Sequence, residues 1–585
     1  MNWTHTPLAL SALMFAMAAQ ATPNQATDAV APEQATGFEH KSLVKAKNWM
    51  VTAANPLASE AGASILRQGG NAIDAMVTTQ LMLGLVEPQS SGIGGGSFLV
   101  YWDAKKKALT TFDGRETAPL NATPELFLDS TGQPMKFYDA VVGGRSVGTP
   151  GTVKLLWETH RQYGKLEWAR LIEPVAKLAE QGFEVSPRLA ALIAEDKERL
   201  GRFPATKAYF FDAQGEPLTA GTLLKNPDYA ATLRAIAQQG ASAFYQGDIA
   251  KDIIATVQNA PGNPGVLAQQ DFDTYQVKQR APVCAAYQSY QVCGMGLPSS
   301  GGLTVGQILA LTEQYDLKGW GAQDVKSWQV LGDASQLAFA DRGLYMADQD
   351  YVPVPTQGLL DKTYLAERAK LIQPGKALTS APAGNPPWHH AQLRSPDQSI
   401  ELPSTSHFNI VDREGNVVSF TTSIENAFGS RLLVRGFLLN NELTDFSFAT
   451  QSEGRPIANR LEPGKRPRSS MAPTIVLQDN QPYLAIGSPG GSRIIGYVAQ
   501  AIVAHTQWGM NIQAAINQPH VLNRFGEIEL EQGTTSAEQF KPALESLGAK
   551  VGIKELNSGL HAIRITAQGL EGAADPRREG VAIGE

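Results

Sequence analysis

The strongest constraint on the fold lies in the C-terminal third, where two stretches alternate polar and apolar residues on either side of a turn sequence. HFNIVDREGNVVSFTTS, residues 407–423, turns at DREGN, and APTIVLQDNQPYLAIGS, residues 472–488, turns at Gln478-Asp479-Asn480. A side-chain period of two around such turns predicts two β-hairpins. The second hairpin runs into a glycine-rich GSPGG and then into Ile494, Ile495, Val498, Ile502 and Val503 at helical spacing, so a helix follows it. Upstream, Asn55-Pro56 is a helix start and Gly69-Gly70 a break, after which Ile73, Met76, Val77, Leu81 and Leu85 mark a second helix. Residues 147–351 are helix-rich with Pro and Gly punctuation. Together these patterns predict stacked sheets flanked by helices, and 585 residues with 43% hydrophobic content can fill the large core this needs.

Several function classes are disfavoured on the same grounds. With 49 basic against 56 acidic residues and no Lys/Arg block, the chain offers no electrostatic footprint for nucleic acid, and small molecules are the expected partners. SSGIGGGSFLVYWD lacks the Lys-Ser/Thr of a phosphate loop and reads as tight backbone packing. Pro7 to Ala19 is an apolar run followed by Ala19-Gln20-Ala21, which predicts a signal peptide over residues 1–21 and a periplasmic or secreted product. No later segment reaches the ~20 apolar residues of a membrane span, so no membrane association is expected once the signal is removed. Cys284 and Cys293 face each other if Gln288-Ser289 is a hairpin turn, as a disulfide or as two reduced thiols. No His cluster accompanies them, and neither a metal nor a cofactor is expected. Residues 374–403, rich in Pro, Ala and Ser, read as an exposed connecting segment that leads to Ser404-Thr405.

An acyl-transfer site needs a nucleophile with a base, donors for the oxyanion, and groups that fix the substrate. A threonine at a chain N-terminus carries nucleophile and base on one residue, because a free α-amino group with a pKa of about 7.7–8 can take the Oγ proton near neutral pH. Thr405 acquires that amine only if the bond before it is cut. Gly490 and Gly491, between a strand and a helix, can present backbone N–H groups to an oxyanion. Each residue also has an ordinary structural reading: Thr405 a strand residue, the glycines a tight turn, Arg115 an ion-pair residue, Glu442 and Asp445 a solvated loop, Ser469-Ser470 a turn.

The motifs favour the chemical reading jointly. TSHFNIVDREGNVVSFTTS from Thr405, LLNNELTDFS from Leu438, KRPRSSMAPT from Lys465 and GSPGGSR from Gly487 resemble the gamma-glutamyltranspeptidases. So do GGNAIDAMVTTQLMLGLVEPQSSGIGGGSF from Gly69, DGRETAP from Asp113, PSSGG from Pro298 and ADPRR from Ala574, so that the resemblance covers about residues 45–580. It implies an α/β N-terminal-nucleophile hydrolase fold, a four-layer αββα sandwich. It also implies a precursor that cuts itself before Thr405 into intertwined large and small subunits, residues 22–404 and 405–585. By the same resemblance Thr405 attacks a γ-glutamyl amide such as glutathione, and water or an amino-acid or peptide acceptor resolves the acyl-enzyme. Thr421 and Ser423 would support the nucleophile, Gly490 and Gly491 would form the oxyanion hole, Arg115, Ser469 and Ser470 would hold the α-carboxylate, and Glu442 and Asp445 the α-ammonium.

Two positions depart from the family. Glu425 stands where an asparagine is usual, so three carboxylates surround one cation, and Ser423 stands where a second threonine is common. Residues 448–468 are also short and carry no tyrosine for a lid, which predicts an open site. Two alternatives compete: a β-lactam acylase that removes glutaryl-type groups, and a non-catalytic periplasmic amino-acid binder. Unpaired carboxylates oppose the first. A nucleophile and oxyanion donors, which binding alone does not need, oppose the second.

Overall fold

The computed structural model describes residues 38–389, 393–397, 399, 401–402 and 404–585. The expected signal peptide lies outside the described residues. Both hairpins form where the alternation places them. Thr405–Val411 pairs antiparallel with Val417–Ser423, and Thr474–Gln478 with Gln481–Gly487. In the first turn the Asp412 carboxylate accepts the N–H groups of Glu414 and Asn416 at 2.9 and 3.0 Å. In the second, Asp479 and Asn480 take φ of 52° and 58°, the left-handed pair that a two-residue hairpin turn requires and that these residue types tolerate.

Each hairpin seeds one of two seven-stranded sheets. The first runs, edge to edge, Val581–Gly584, Met50–Ala53, Thr405–Val411, Val417–Ser423, Gly96–Asp103, Ala108–Gly114 and Lys278–Arg280. The second runs Val44–Ala46, Gly569–Ala574, His561–Thr566, Gln481–Gly487, Thr474–Gln478, Tyr290–Gly294 and Val283–Tyr287. Met50, Val100, Trp102 and Val411 of the first sheet pack against Cys293, Ile475, Ala485 and Ile563 of the second, forming the layer between them. On its outer face the first sheet is covered by helices that include Pro56–Arg67, Ala72–Val86 and Trp168–Gln181. Gly301–Thr312, Val325–Tyr345 and Ile494–Thr506 cover the second. This is the αββα sandwich. Because helices and a second sheet bury the first sheet on both faces, its two central strands are buried along their whole length.

The Cys284–Cys293 alternative resolves to a disulfide across the hairpin whose turn is Gln288-Ser289. No helix among the described residues is long and apolar enough to cross a membrane. The connecting segment departs from expectation. Its last part is anchored inside the protein: Arg394, Ser395, Asp397, Glu401, Leu402 and Ser404 are buried, Ser395 pairs with Ile457, and Arg468 donates to Asp397 at 2.8 Å. Composition suggests exposure because it does not register that the acids of this segment meet buried arginines brought from elsewhere.

Candidate active site

Thr405 is the first residue of its strand, and Ser423, the last of the neighbouring strand, lies directly opposite. Alternation sends Phe408 and Ile410 into the helix-covered core and Val411 between the sheets, so Thr405 and His407 face the second sheet. Thr405 Oγ1 is 3.2 Å from Ser423 Oγ, which donates to the Ser404 carbonyl at 2.8 Å and accepts the Glu425 N–H at 2.8 Å. One hydroxyl thus touches both the Thr405 hydroxyl and the carbonyl of the bond before it. Thr421 is not part of this group: its Oγ1 meets His407 Nδ1 at 2.8 Å, two pairs further along the ladder. Burial depresses the His407 pKa to about 3, so this imidazole is a neutral core group.

On the other face, Ser404 Oγ donates to the Gln89 carbonyl at 2.6 Å and Ser406 Oγ to Glu87 at 3.1 Å. Burial raises the Glu87 pKa to about 8, and Arg578 opposes this only in part. An acid whose folded pKa lies above its ordinary 4.5 contributes stability fully below pH 4.5 and loses it as pH rises through about 8. Glu87→Gln, which cannot ionise, is therefore expected to melt above wild type at pH 9 and at or below it at pH 5. Parallel pH curves for the two proteins would show that Glu87 does not titrate in this range.

Gly490 and Gly491 link the strand Gln481–Gly487 to the helix Ile494–Thr506 with φ of 134° and 56°, the second in the left-handed region. A Cβ on Gly491 would lie 2.4 Å from the Glu401 carbonyl oxygen, so only glycine lets the main chain ahead of Thr405 pass this closely. Gly95 plays the same part across the site: a Cβ there would sit 2.1 Å from the Ser423 carbonyl oxygen.

Glu442 and Asp445 come from one 3₁₀ turn, and Glu425 follows the Ser423 strand with φ of 79°. One carboxylate oxygen from each lies within 4.8 Å of those of the other two, and all three residues are buried. The Arg115 fork faces them: Nη1 pairs with Glu442, Nη2 with Asp445 and the Arg468 carbonyl, and Nε with the Pro467 carbonyl at 3.2 Å. Burial first, and then mutual repulsion, raises the pKa of Glu425 well above the ordinary carboxylate range. Glu442 and Asp445 are also raised by burial, with Arg115 opposing. Asp445 Oδ1 accepts no hydrogen bond among the described residues. A group of buried acids facing one guanidinium is short of positive charge, and an added cation would find a ready place there.

The serines are placed nearby but engaged differently. Ser469 Oγ accepts the Met471 N–H at 3.1 Å, and the Ser469 carbonyl is held by the N–H and hydroxyl of Ser300 at 2.7 and 2.8 Å. Ser470 Oγ accepts from Arg342 at 2.7 Å. Three charged residues in this region escape sequence reasoning: Arg342, Glu401 and Glu116, the last a buried acid whose own pKa is raised by burial and then by the nearby Glu442. Arg342 had one available signal, since Asp341-Arg342 sits in a helix that is buried nearly all round and has no polar face to receive it. The openness expected from the missing lid is not displayed by the uncut chain. In the uncut chain Thr405, Arg115, Glu425, Glu442, Asp445, Ser469 and Ser470 are all buried, with the segment ahead of Ser404 lying against them.

Comparison with known proteins agrees with this geometry. The family model described as Gamma-glutamyltranspeptidase matches residues 58–585. The chain is 39% identical over 561 residues to the glutathione hydrolase proenzyme of Bacillus subtilis (strain 168), covering 93% of each. It is 34% identical to the acylase ACY 1 proenzyme of Pseudomonas sp. (strain SE83), covering 91% of this chain and 93% of that one. Among solved structures, a cephalosporin acylase from Bacillus halodurans aligns with a TM-score of 0.81 at 26% identity, covering 95% of this chain and 99% of that one. With its two-sheet sandwich, its buried threonine and the family match over most of its length, the chain is an enzyme of the gamma-glutamyltranspeptidase family.

Proposed function

We propose that the chain is exported, cuts itself between Ser404 and Thr405, and then hydrolyses γ-glutamyl amides such as glutathione or transfers their γ-glutamyl group to an amino-acid or peptide acceptor. The observation that carries this reading is the convergence of Glu425, Glu442 and Asp445 on one buried point faced by Arg115. An α-amino acid head brings the ammonium such a point lacks and a carboxylate for the guanidinium. The Cys284–Cys293 disulfide supports export, since such bonds persist in oxidising compartments.

In maturation, Thr405 Oγ1 attacks the Ser404 carbonyl carbon. The hydroxyl of Ser423, already donating to that carbonyl oxygen, steadies the negative charge that develops there. The C–N bond breaks, the Thr405 nitrogen takes a proton, and water hydrolyses the resulting ester to give residues up to 404 and a free Thr405 amine. In turnover that amine accepts the Oγ1 proton as the hydroxyl attacks the γ-carbonyl, with Gly490 and Gly491 as oxyanion donors. The leaving amine departs protonated, and water or an acceptor amine releases the acyl group. The large and small subunits come from one precursor and stay together, since each sheet contains strands from both halves hydrogen-bonded side by side.

A glutaryl acylase is the second reading, favoured by the similarity to acylases. The two differ in the α-ammonium, so the discriminating measurement is the ratio of kcat/KM for γ-glutamyl and glutaryl anilides. A γ-glutamyl preference is expected, and a glutaryl preference would replace the first reading with the second. In Glu425→Gln the ratio is expected to shift toward the glutaryl anilide by about tenfold or more, because a charge-assisted contact worth roughly 1.5–3 kcal/mol is weakened. An unmoved ratio would take Glu425 out of the ammonium site.

A further inference from the structure

The segment that ends at Ser404 carries its own carboxylate into the pocket. Glu401, four residues ahead of Thr405 and 4% exposed, receives the Ser470 N–H on Oε2 at 2.6 Å and Arg342 on Oε1. Arg342 is held in place for this by Ser300 Oγ at 2.8 Å and Ser470 Oγ at 2.7 Å. The main chain of the same segment lies on the site: the Glu401 carbonyl accepts the Ser492 N–H at 3.3 Å against Gly491, and the Leu402 N–H donates to Glu425 at 3.2 Å. A second acid of the segment, Asp397, neutralises Arg468 next to Arg342.

We infer that Arg342 and the Ser470 N–H form a carboxylate receptor at the head end of the substrate pocket, and that in the uncut chain Glu401 fills it as a tethered stand-in for the substrate's α-carboxylate. The inference rests on the γ-glutamyl reading of the pocket and adds Arg342 to it. Glu401 is well suited to the part. It presents the same functional group that a glutamyl head presents, to a hydroxyl-bearing residue placed at the carboxylate by family resemblance, while its backbone covers a glycine placed at the oxyanion. Burial and the neighbouring Arg468 push Arg342 down to about 10, so a buried cation pair here calls for an anion whether or not the segment supplies it. A tethered group has a high effective concentration, and it excludes a free ligand until the tether is cut. Cleavage at Ser404 frees the C-terminal end of the segment, Glu401 withdraws, and the receptor passes to substrate. The uncut chain therefore cannot bind the substrates of the mature enzyme, and the site opens only when the nucleophile's amine exists.

The test compares three full-length proteins by calorimetric titration with L-glutamate and with glutarate: mature wild type, the uncut Thr405→Ala chain, and uncut Thr405→Ala/Glu401→Ala. Mature protein is expected to bind L-glutamate, Thr405→Ala at least tenfold more weakly, and the double variant to recover most of that loss. Binding by Thr405→Ala equal to mature protein overturns the inference, and so does a double variant that stays as weak as the single one. A purely structural Glu401 would lower the melting temperature of the double variant without restoring ligand, which is the second of these outcomes. If mature protein ignores L-glutamate, the γ-glutamyl reading fails, and glutarate then decides the receptor: binding by mature and double-variant protein but not by Thr405→Ala sustains it, and any other pattern overturns it. Should the alanine double variant fail to fold, Thr405→Ala/Glu401→Gln keeps the shape and removes the charge. A gain of at least threefold is expected there, and no gain overturns the inference.

Discussion

Thr405→Ala is expected to remain a single polypeptide through the Ser404–Thr405 junction and to lose turnover by roughly 10⁴-fold or more, since the same hydroxyl opens the backbone and later the substrate. The geometry makes the expectation specific. Ser423 Oγ stays within reach of the Ser404 carbonyl, and Ser404 stays fixed on the Gln89 carbonyl, so the bond remains presented while its attacking group is gone. Mass spectrometry reads the outcome directly: wild type should give a fragment beginning at Thr405, and the variant should not. Normal splitting of Thr405→Ala would place the nucleophile elsewhere.

Arg115→Lys should mature normally yet lose about 100- to 1000-fold in kcat/KM, equivalent to roughly 3–4 kcal/mol. The loss has two sources. Arg115 spreads one charge over Glu442 and Asp445 and also donates to the Pro467 and Arg468 carbonyls, which a single ammonium cannot do from one position. One acid is then left buried without its cation, a situation that costs about 3 kcal/mol in general and that a substrate head would meet as a misplaced charge. Maturation is spared because the contacts at the junction run through Ser423 and Gln89 rather than Arg115. Steady-state kinetics with a γ-glutamyl anilide, together with a gel for the two fragments, tests both halves. Unchanged kinetics would remove Arg115 from the pocket.

Much of this protein was legible in local pattern. The period of two around DREGN and around Asp479-Asn480, and the period of 3.6 after Gly490-Gly491, locate hairpins and a helix because side-chain direction repeats along the backbone itself. Once Thr405 and the TTS run at 421–423 are placed on paired strands, a hydroxyl opposite Thr405 follows. Which hydroxyl it is does not, because register fixes it: Ser423 falls opposite Thr405, and Thr421 falls opposite His407. Glu425, Glu442 and Asp445 could be named from motifs, but their meeting within 4.8 Å depends on a strand end and a 3₁₀ turn packed together.

By itself, then, the sequence determined the elements, the candidate reactive residues and the family to which their order belongs. Tertiary structure alone decided the charge partners. Arg342 lies 59 residues before Glu401 and 128 before Ser470, and the three meet only because a buried helix, the segment ahead of Thr405 and the loop at Ser469-Ser470 converge. The physical reason is that periodicity is a property of neighbours along the chain. A buried charge is satisfied by whichever opposite charge the packing brings within a few ångströms, and sequence distance has no bearing on that.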